Sequence, residues 1–219
     1  MTGMTWHPAL RADLVEALRA VPPDAPTLCE GWQARHLAAH VVLRESSARV
    51  GLGLAVPGLA GVAERSVDDL AATASDETGW DALVDRVAAG GPRWHPTALA
   101  GDAANLVELY VHGEDVRRGD GTPRPRPLPD GLVDALWRDT VRLAPVRTLR
   151  LPVGLVLVRA DGPRRRVRGP RGDHGTVVVR GDVGELVLWL SGRGAAADVV
   201  VQGEAADVAV LAQRLPVPA

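Results

Sequence analysis

Glu108 and His112 lie four positions apart in the apolar run "NLVELYVHGEDVRRGDG", which spans residues 105–121. Residues at this spacing project from one face of a helix, one turn apart. A carboxylate and a neutral imidazole in this arrangement can converge on a single metal ion beside the helix. His36 and His40 have the same spacing in "QARHLAAHVVL", so two separate segments offer potential ligands.

One histidine from the second segment would complete a three-ligand set. His40 lies between apolar residues in "LAAHVVL", whereas His36 directly follows Arg35 near the start of the predicted helix. We therefore expect His40 to be the deeper of the two and to join Glu108 and His112. A set of two histidines and one glutamate leaves the fourth position of a tetrahedral zinc open for water or substrate, as in catalytic zinc sites.

Two other interpretations of these side chains stay open at this point. His40 and His112 are also compatible with core histidines whose ring nitrogens are satisfied. Glu108 and His112 are compatible with a surface pair that contributes a few tenths of a kcal/mol. A buried imidazole facing a buried carboxylate is costly without a shared proton or cation, and this favours a metal if both helices face the same core.

The remaining histidines and the single cysteine narrow the choice of ligands. His7 lies at a helix start, His95 beside a proline and His174 in a glycine-rich turn, so we expect all three to be exposed turn residues rather than ligands. Cys29 cannot form an internal disulfide or build a cysteine zinc site by itself. Any metal must then be held by histidine and carboxylate.

The composition is that of a soluble globular protein. The 219 residues are 46% hydrophobic and 24% charged with a formal net charge of -2, which gives no electrostatic reason to expect nucleic acid as a partner. We interpret the basic segment 159–172, "RADGPRRRVRGPRG", as a solvated turn rather than a phosphate-binding site. No apolar run reaches the ~20 residues needed to span a bilayer, and we expect a cytoplasmic protein that does not bind membranes.

The first half of the chain shows helical periodicity, with apolar residues at intervals of three and four. The glycine-rich segment 51–61 is expected to end the second helix. Four principal helices with loops of moderate length favour an antiparallel bundle. The predicted helices span residues 7–21, 33–51, 66–75, 79–91 and 97–119.

Beyond the Pro- and Arg-rich segment 121–131 the pattern changes. One more helix is predicted over residues 129–144, and we expect it to pack on the bundle. Strands are then predicted in "TLRLPVGLVLVRA", "GTVVVRG" and "ADVVVQG", with a helix between the last two and another at the end of the chain. The expected fold is therefore α+β with two domains, a helical bundle over residues 1–122 and a small α+β domain over residues 147–219.

Three separated segments resemble one known family, in the same order along the chain. "LCEGWQARHLAAHVV" resembles the Trp-then-His helix of the DinB-like superfamily, specifically its actinobacterial branch of mycothiol-dependent maleylpyruvate isomerase-like proteins. "ELYVHGEDVRR" resembles that branch's second metal segment, with a Glu and a His four apart followed by an Asp and an Arg. Residues 179–215 resemble its C-terminal domain, which is related to sterol-carrier-type folds.

The resemblance implies an N-terminal four-helix bundle that binds a divalent metal, usually taken as zinc, through the residues matching His40, Glu108 and His112. It also implies mycothiol as a low-molecular-weight thiol cosubstrate, added to or transferred onto a small electrophile by an isomerase or S-transferase. A metal makes such a thiol nucleophilic near neutral pH. The protein then needs no nucleophile of its own, so Cys29 is expected to be a packing residue.

The neighbours of these residues suggest supporting roles. Asp115 could accept a hydrogen bond from a ligand imidazole, and Arg117 could hold a carboxylate of the thiol or the substrate. The alternative is a charged helix end, which we favour for Arg118. Trp32 is expected to anchor the core of the bundle.

A second hypothesis belongs to a different functional class. The chain would be a metal- or small-ligand-binding protein of the DinB-like superfamily without turnover, and its C-terminal domain would carry an apolar ligand or form a homodimer. A cleft beside the metal with room for a thiol would separate the two hypotheses.

Overall fold

The computed structural model describes residues 5–47 and 60–217. Backbone contacts divide the chain into two units, Met1–Asp120 and Gly121–Ala219. The first unit is helical and the second combines helices with a β-sheet. The α+β class expected from the sequence is therefore confirmed. The glycine-rich segment predicted to end the second helix lies largely outside the described residues.

The described part of the first unit contains six α-helices. They are α1 (His7–Arg19), α2 (Ala34–Ser46), α3 (Ala60–Ala72), α4 (Glu77–Ala89), α5 (Pro96–Ala100) and α6 (Asp102–Arg117).

The core of this unit forms where the apolar stripes of the helices meet. Helix α1 starts with Pro8 in its first turn, where a missing N–H costs nothing, and buries Leu10, Leu14 and Leu18 against α4 and α6. Helix α2 packs on α3 and α4, and its central residues 37–42 are all buried. The centre of α2 is thus surrounded by protein, and a polar side chain there must find a partner.

The predicted long helix over residues 97–119 is interrupted in the structure. Gly101 has a φ of +54°, a conformation that side-chain-bearing residues rarely adopt, and it separates α5 from α6. The carboxylate of Asp102 accepts hydrogen bonds from the backbone N–H groups of Trp6 and His7. The break therefore lets the first turn of α6 bind the start of α1.

The described part of the second unit contains three further α-helices and a four-stranded sheet. The elements are α7 (Asp130–Arg147), β1 (Gly154–Arg159), β2 (Arg164–Arg168), β3 (Thr176–Gly181), α8 (Val183–Leu188), a π-helical turn (Trp189–Arg193), a 3-10 turn (Gly194–Ala196), β4 (Val199–Gln202) and α9 (Ala205–Ala212).

The interpretation of the basic segment as a turn is wrong for its central residues. Arg164–Arg168 forms strand β2, which pairs antiparallel with β1, so that Val156 lies opposite Arg166 and Val158 opposite Arg164. The sheet order is β2-β1-β3-β4. An edge strand exposed to solvent carries arginine side chains readily, and this is why the pattern did not indicate a strand.

The inner face of the sheet supplies the core of the second unit. Leu155, Leu157, Val177 and Val179 are fully buried. Strands β1 and β3 pair in parallel and contact α8, while α7 contacts β2 and α8. The contacts group α7 with this sheet; the domain boundaries expected from the sequence stay a prediction.

Among the described helices, none combines the length and hydropathy needed to cross a bilayer.

Gly119 offers a test of how the first unit is held together. Its Cα lies so close to the carbonyl oxygen of Pro26, in the loop between α1 and α2, that an added Cβ would overlap this atom. We expect Gly119→Ala to lower the free energy of unfolding by about 1–3 kcal/mol, because backbone must move to make room. Urea unfolding measures the change.

Gly61 in α3 is the matched control. Among the described residues, a Cβ at this exposed position would meet nothing nearer than an arginine tip at 3.8 Å. Gly61→Ala is expected to leave stability unchanged or raise it by up to about 1 kcal/mol. Equal stability of the Gly119→Ala variant and the unmutated protein would contradict the close packing of the loop on α6.

Candidate metal site

His40, Glu108 and His112 converge on one point in the first unit. The Nε2 atom of His40 lies 3.3 Å from Oε1 of Glu108, and Nε2 of His112 lies 3.1 Å from the same oxygen. All three potential ligand atoms lie within 4.8 Å of one another. The side chains selected from sequence are therefore brought together, with the histidine of α2 meeting a pair on α6.

The helices explain this convergence. Glu108 and His112 lie one turn apart on α6, so their side chains stack on one face. His40 lies in the buried centre of α2, 68 positions before Glu108. Packing in the first unit places the two helix faces opposite each other, and the ring of His40 lies 5.1 Å from the ring of His112 in a T-shaped arrangement.

The distances match the edges of a tetrahedral coordination shell. Zinc binds histidine nitrogen and carboxylate oxygen at ~2.0–2.2 Å, which places neighbouring ligand atoms about 3.3 Å apart. The two measured edges are 3.3 and 3.1 Å. These two distances are compatible with a zinc-sized cation, and the third, between the two Nε2 atoms, is no more than 4.8 Å.

The tautomer of His112 strengthens this conclusion. Oδ2 of the buried Asp115 lies 2.9 Å from Nδ1 of His112, and an ionised carboxylate can only accept, so Nδ1 carries the proton and donates. The neutral ring then turns the lone pair of Nε2 toward Oε1 of Glu108, which is also an acceptor. A positive charge, either a proton or a metal ion, is required between them.

The pKa shifts follow from the same contacts. Burial disfavours the charge of Glu108, but hydrogen bonds with His112 and His40 and the nearby Arg44 hold its pKa well below the usual value. Burial lowers the pKa of His40, an effect that Glu108 offsets in part. Glu108 is thus ionised and His40 neutral, the protonation states that metal ligands need.

His112 behaves differently from His40. Burial disfavours its charge, yet hydrogen bonds to Asp115, Cys29 and Glu108 raise its pKa well above the ordinary value. Without a metal, the ring takes up the proton that satisfies Glu108. A metal ion and this proton therefore compete for the same Nε2 atom.

His40 and Trp32 form the other side of the site. Nδ1 of His40 is buried and has no hydrogen-bond partner among the described residues. The ring of Trp32 lies 5.1 Å from that of His40 in a tilted arrangement, and Trp32 is half-buried. Trp32 was expected to anchor the core, and the structure adds that it packs on a potential ligand.

The loop between α1 and α2 brings Cys29 to the same place. The backbone N–H of Leu28 donates to the carbonyl of Asp115, and the Sγ of Cys29 lies 3.2 Å from Oδ2 of Asp115. Cys29, His112 and Asp115 also lie close enough to hold a metal. Here, however, the hydrogens of a thiol and an imidazole satisfy the carboxylate, so this second set needs no ion.

The two arginines at the end of α6 serve the helix packing. Arg117 donates to the backbone carbonyl of Asp13 on α1 and pairs with its carboxylate at 2.9 Å. Arg118 caps α6 as expected for a charged helix end, but it is fully buried and bonds Glu114 at 2.9 Å. These contacts give no support to a substrate-binding role for Arg117, which stays a prediction.

Arg44 is a neighbour of the site that the sequence interpretation missed. It lies one turn after His40 on α2, and its Nε is 3.4 Å from Oε1 of Glu108. The i,i+4 spacing that singled out Glu108 and His112 would have identified it.

The other histidines have structural partners. Nδ1 of His36 accepts from the backbone N–H of Gln33 and caps α2. His7 pairs with Asp102, and His174 with Asp207. The expectation of exposed turn residues is wrong for His95, which is 3% exposed because it caps α5 and binds the Thr97 hydroxyl; His7 and His174 are half-buried.

No protein-family model and no curated protein matches the chain. Two solved structures are similar. The crystal structure of the mycothiol-dependent maleylpyruvate isomerase is 18% identical, covers 90% of both chains and has a TM-score of 0.59. A mutant of that enzyme is 17% identical over the same share of both chains, with a TM-score of 0.56. The chain therefore shares the fold of the mycothiol-dependent maleylpyruvate isomerase over nine-tenths of its length.

Proposed function

We propose that this protein binds a divalent metal, with Zn²⁺ as the best fit, through His40, Glu108 and His112. The observation that carries the proposal is the pair of short Nε2–Oε1 distances, together with the Asp115 carboxylate 2.9 Å from Nδ1 of His112, which favours the tautomer whose Nε2 lone pair faces Glu108. Two neutral histidines and one carboxylate fit zinc, and three protein ligands leave a position open for a fourth.

We further propose that the metal serves an enzyme that uses mycothiol on a small electrophile, as an S-transferase or isomerase. A bound zinc ion supplies the positive charge that keeps a thiol as thiolate, or a water as hydroxide, near neutral pH. Asp115 keeps the His112 ring in the tautomer that presents Nε2. Glu108 reduces the net charge at the site while leaving it positive, which favours an anionic nucleophile.

The nucleophile is proposed to come from the cosubstrate rather than from the chain. The thiol of Cys29 donates a hydrogen bond to Asp115, which contacts the Nδ1 edge of the His112 ring. The Nε2 atom, which faces Glu108, is at the other edge of the ring. Support for mycothiol comes from the similar fold of an enzyme described as mycothiol-dependent. A reducing, cytoplasmic setting and a sterol-carrier-like domain over residues 147–219 belong to the same proposal.

Metal content is the direct test of the site. Protein purified without chelator is expected to hold about one equivalent of zinc or a similar ion, and His40→Ala and Glu108→Ala should lose it, because each removes a ligand. Elemental analysis gives the stoichiometry. His174→Ala, which removes a histidine paired with Asp207 in the second unit, should keep the metal. Less than about one tenth of an equivalent in the unmutated protein would refute the site.

Asp115→Asn tests the orientation of His112. An amide can turn its NH₂ toward Nδ1, so the ring no longer has to present a bare Nε2, and we expect zinc affinity to fall roughly 10- to 100-fold. Asp207→Asn is the matched control, since Asp207 bonds His174 Nδ1 at the same 2.9 Å distance in the second unit. Chelator competition measures the zinc affinity of both variants. Equal affinity of the two variants would show that Asp115 does not act on the metal.

Turnover needs a separate experiment with mycothiol and a panel of electrophiles that includes maleylpyruvate. The zinc-loaded protein is expected to catalyse conjugation or isomerisation of at least one of them, and the metal-depleted protein and the Glu108→Ala variant are expected to be inactive. Product formation is followed by mass spectrometry. A zinc-loaded protein that is inactive across the panel would favour the non-catalytic binding protein over the enzyme.

A further inference from the structure

Glu108 is the ligand that most needs external support. Its side chain is 33% exposed, whereas those of His40 and His112 are 9% and 10% exposed. A glutamate side chain also has more rotatable bonds than an imidazole and loses more conformational entropy when it is held in one geometry. Contacts that hold the Glu108 carboxylate in place therefore have a large effect on the metal affinity of the site.

Arg44 makes such a contact, and its guanidinium is anchored at its other nitrogens. One terminal nitrogen donates to Oδ1 of Asn105 at 2.9 Å, and the other donates to the backbone carbonyl of Ala104. The Nε atom lies 3.4 Å from Oε1 of Glu108, so the guanidinium forms an ion pair with this carboxylate. A planar guanidinium fixed at two corners has little freedom at the third.

Asn105, which accepts one of the Arg44 hydrogen bonds, is itself held in place by two others. Its NH₂ group donates to the carbonyls of Thr97 and Gly101 at 2.8 and 2.9 Å, and the residue is 1% exposed. Because both donors are used there, the amide oxygen must face Arg44. The interruption of the helix at Gly101 supplies one of these carbonyls, so the break between α5 and α6 contributes to the network.

We propose that Arg44 is a positioning residue for the metal site, and that the network of Asn105 and Arg44 holds the Glu108 carboxylate where it completes the ligand set. This inference rests on the proposed metal site. By charge alone, an arginine this close would oppose a divalent cation. Its benefit lies in the geometry it imposes on Glu108.

Arg11 provides a matched control. Its side chain is 15% exposed, the same as that of Arg44, and it also bridges helices by bonding Glu45 on α2 and the carbonyl of Val87 on α4. Its carboxylate partner is not one of the three ligands. Replacing either arginine by lysine should therefore lower the stability of the protein. Only the replacement of Arg44 should also change its affinity for the metal.

The test compares zinc affinities of the full-length protein by chelator competition. Arg44→Lys keeps the charge but cannot reproduce the three-cornered contact, and it is expected to weaken Zn²⁺ binding roughly 10- to 100-fold, whereas Arg11→Lys should stay within about threefold. Asn105→Ala, which removes the anchor but keeps Arg44, should weaken binding in the same direction. The visible spectrum of bound Co²⁺ should change in Arg44→Lys, because carboxylate coordination is altered.

A double-mutant cycle with Glu108→Gln decides whether Arg44 acts through Glu108. In that background Arg44→Lys is expected to cause little further loss of zinc affinity. The same loss in both backgrounds, or an affinity of Arg44→Lys equal to that of the unmutated protein, would overturn the inference while leaving the metal site intact. If the unmutated protein binds no zinc, the proposed function fails and the inference fails with it.

Discussion

When the His112 ring is neutral, it turns a lone pair rather than a proton toward Glu108, because the Nδ1 hydrogen is already donated to Asp115. Two acceptors at 3.1 Å in a largely buried place require a positive charge between them. The raised pKa of His112 shows how a proton meets this requirement. The nearby Nε2 of His40 adds a third donor atom at an edge length that suits a zinc-sized ion.

Contacts at both ends of α6 hold Glu108 and His112 in this arrangement. The loop between α1 and α2 lies against the end of α6, where the backbone of Leu28 and the thiol of Cys29 both contact Asp115. At the other end of α6, Asn105 donates hydrogen bonds to a carbonyl of α5 and to the carbonyl of Gly101 at the break, and its amide oxygen accepts from Arg44. One helix therefore carries two of the proposed ligands, and a separate polar network contacts each of them.

Local patterns predicted most of the elements and missed those that depend on pairing. Apolar spacing was enough for α1, α2 and α7, because an amphipathic stripe is a property of the local sequence. Strand β2 has arginine at four of its five positions and was interpreted as a turn, since its pairing with β1 leaves no apolar pattern in its own sequence. The break at Gly101 was also missed, and the residue after it, Asp102, binds the start of α1, more than 90 positions away.

The sequence by itself determined which side chains were available for a metal. With one cysteine, and with His40 and the Glu108 and His112 pair in apolar helical segments, the candidate ligands followed from residue type and i,i+4 spacing. Tertiary structure decided that α2 and α6 face each other, that Asp115 accepts a hydrogen bond from Nδ1 of His112, and that Arg44 reaches Glu108. Spacing along one helix fixes directions within that helix, whereas distances between helices depend on how the whole core packs.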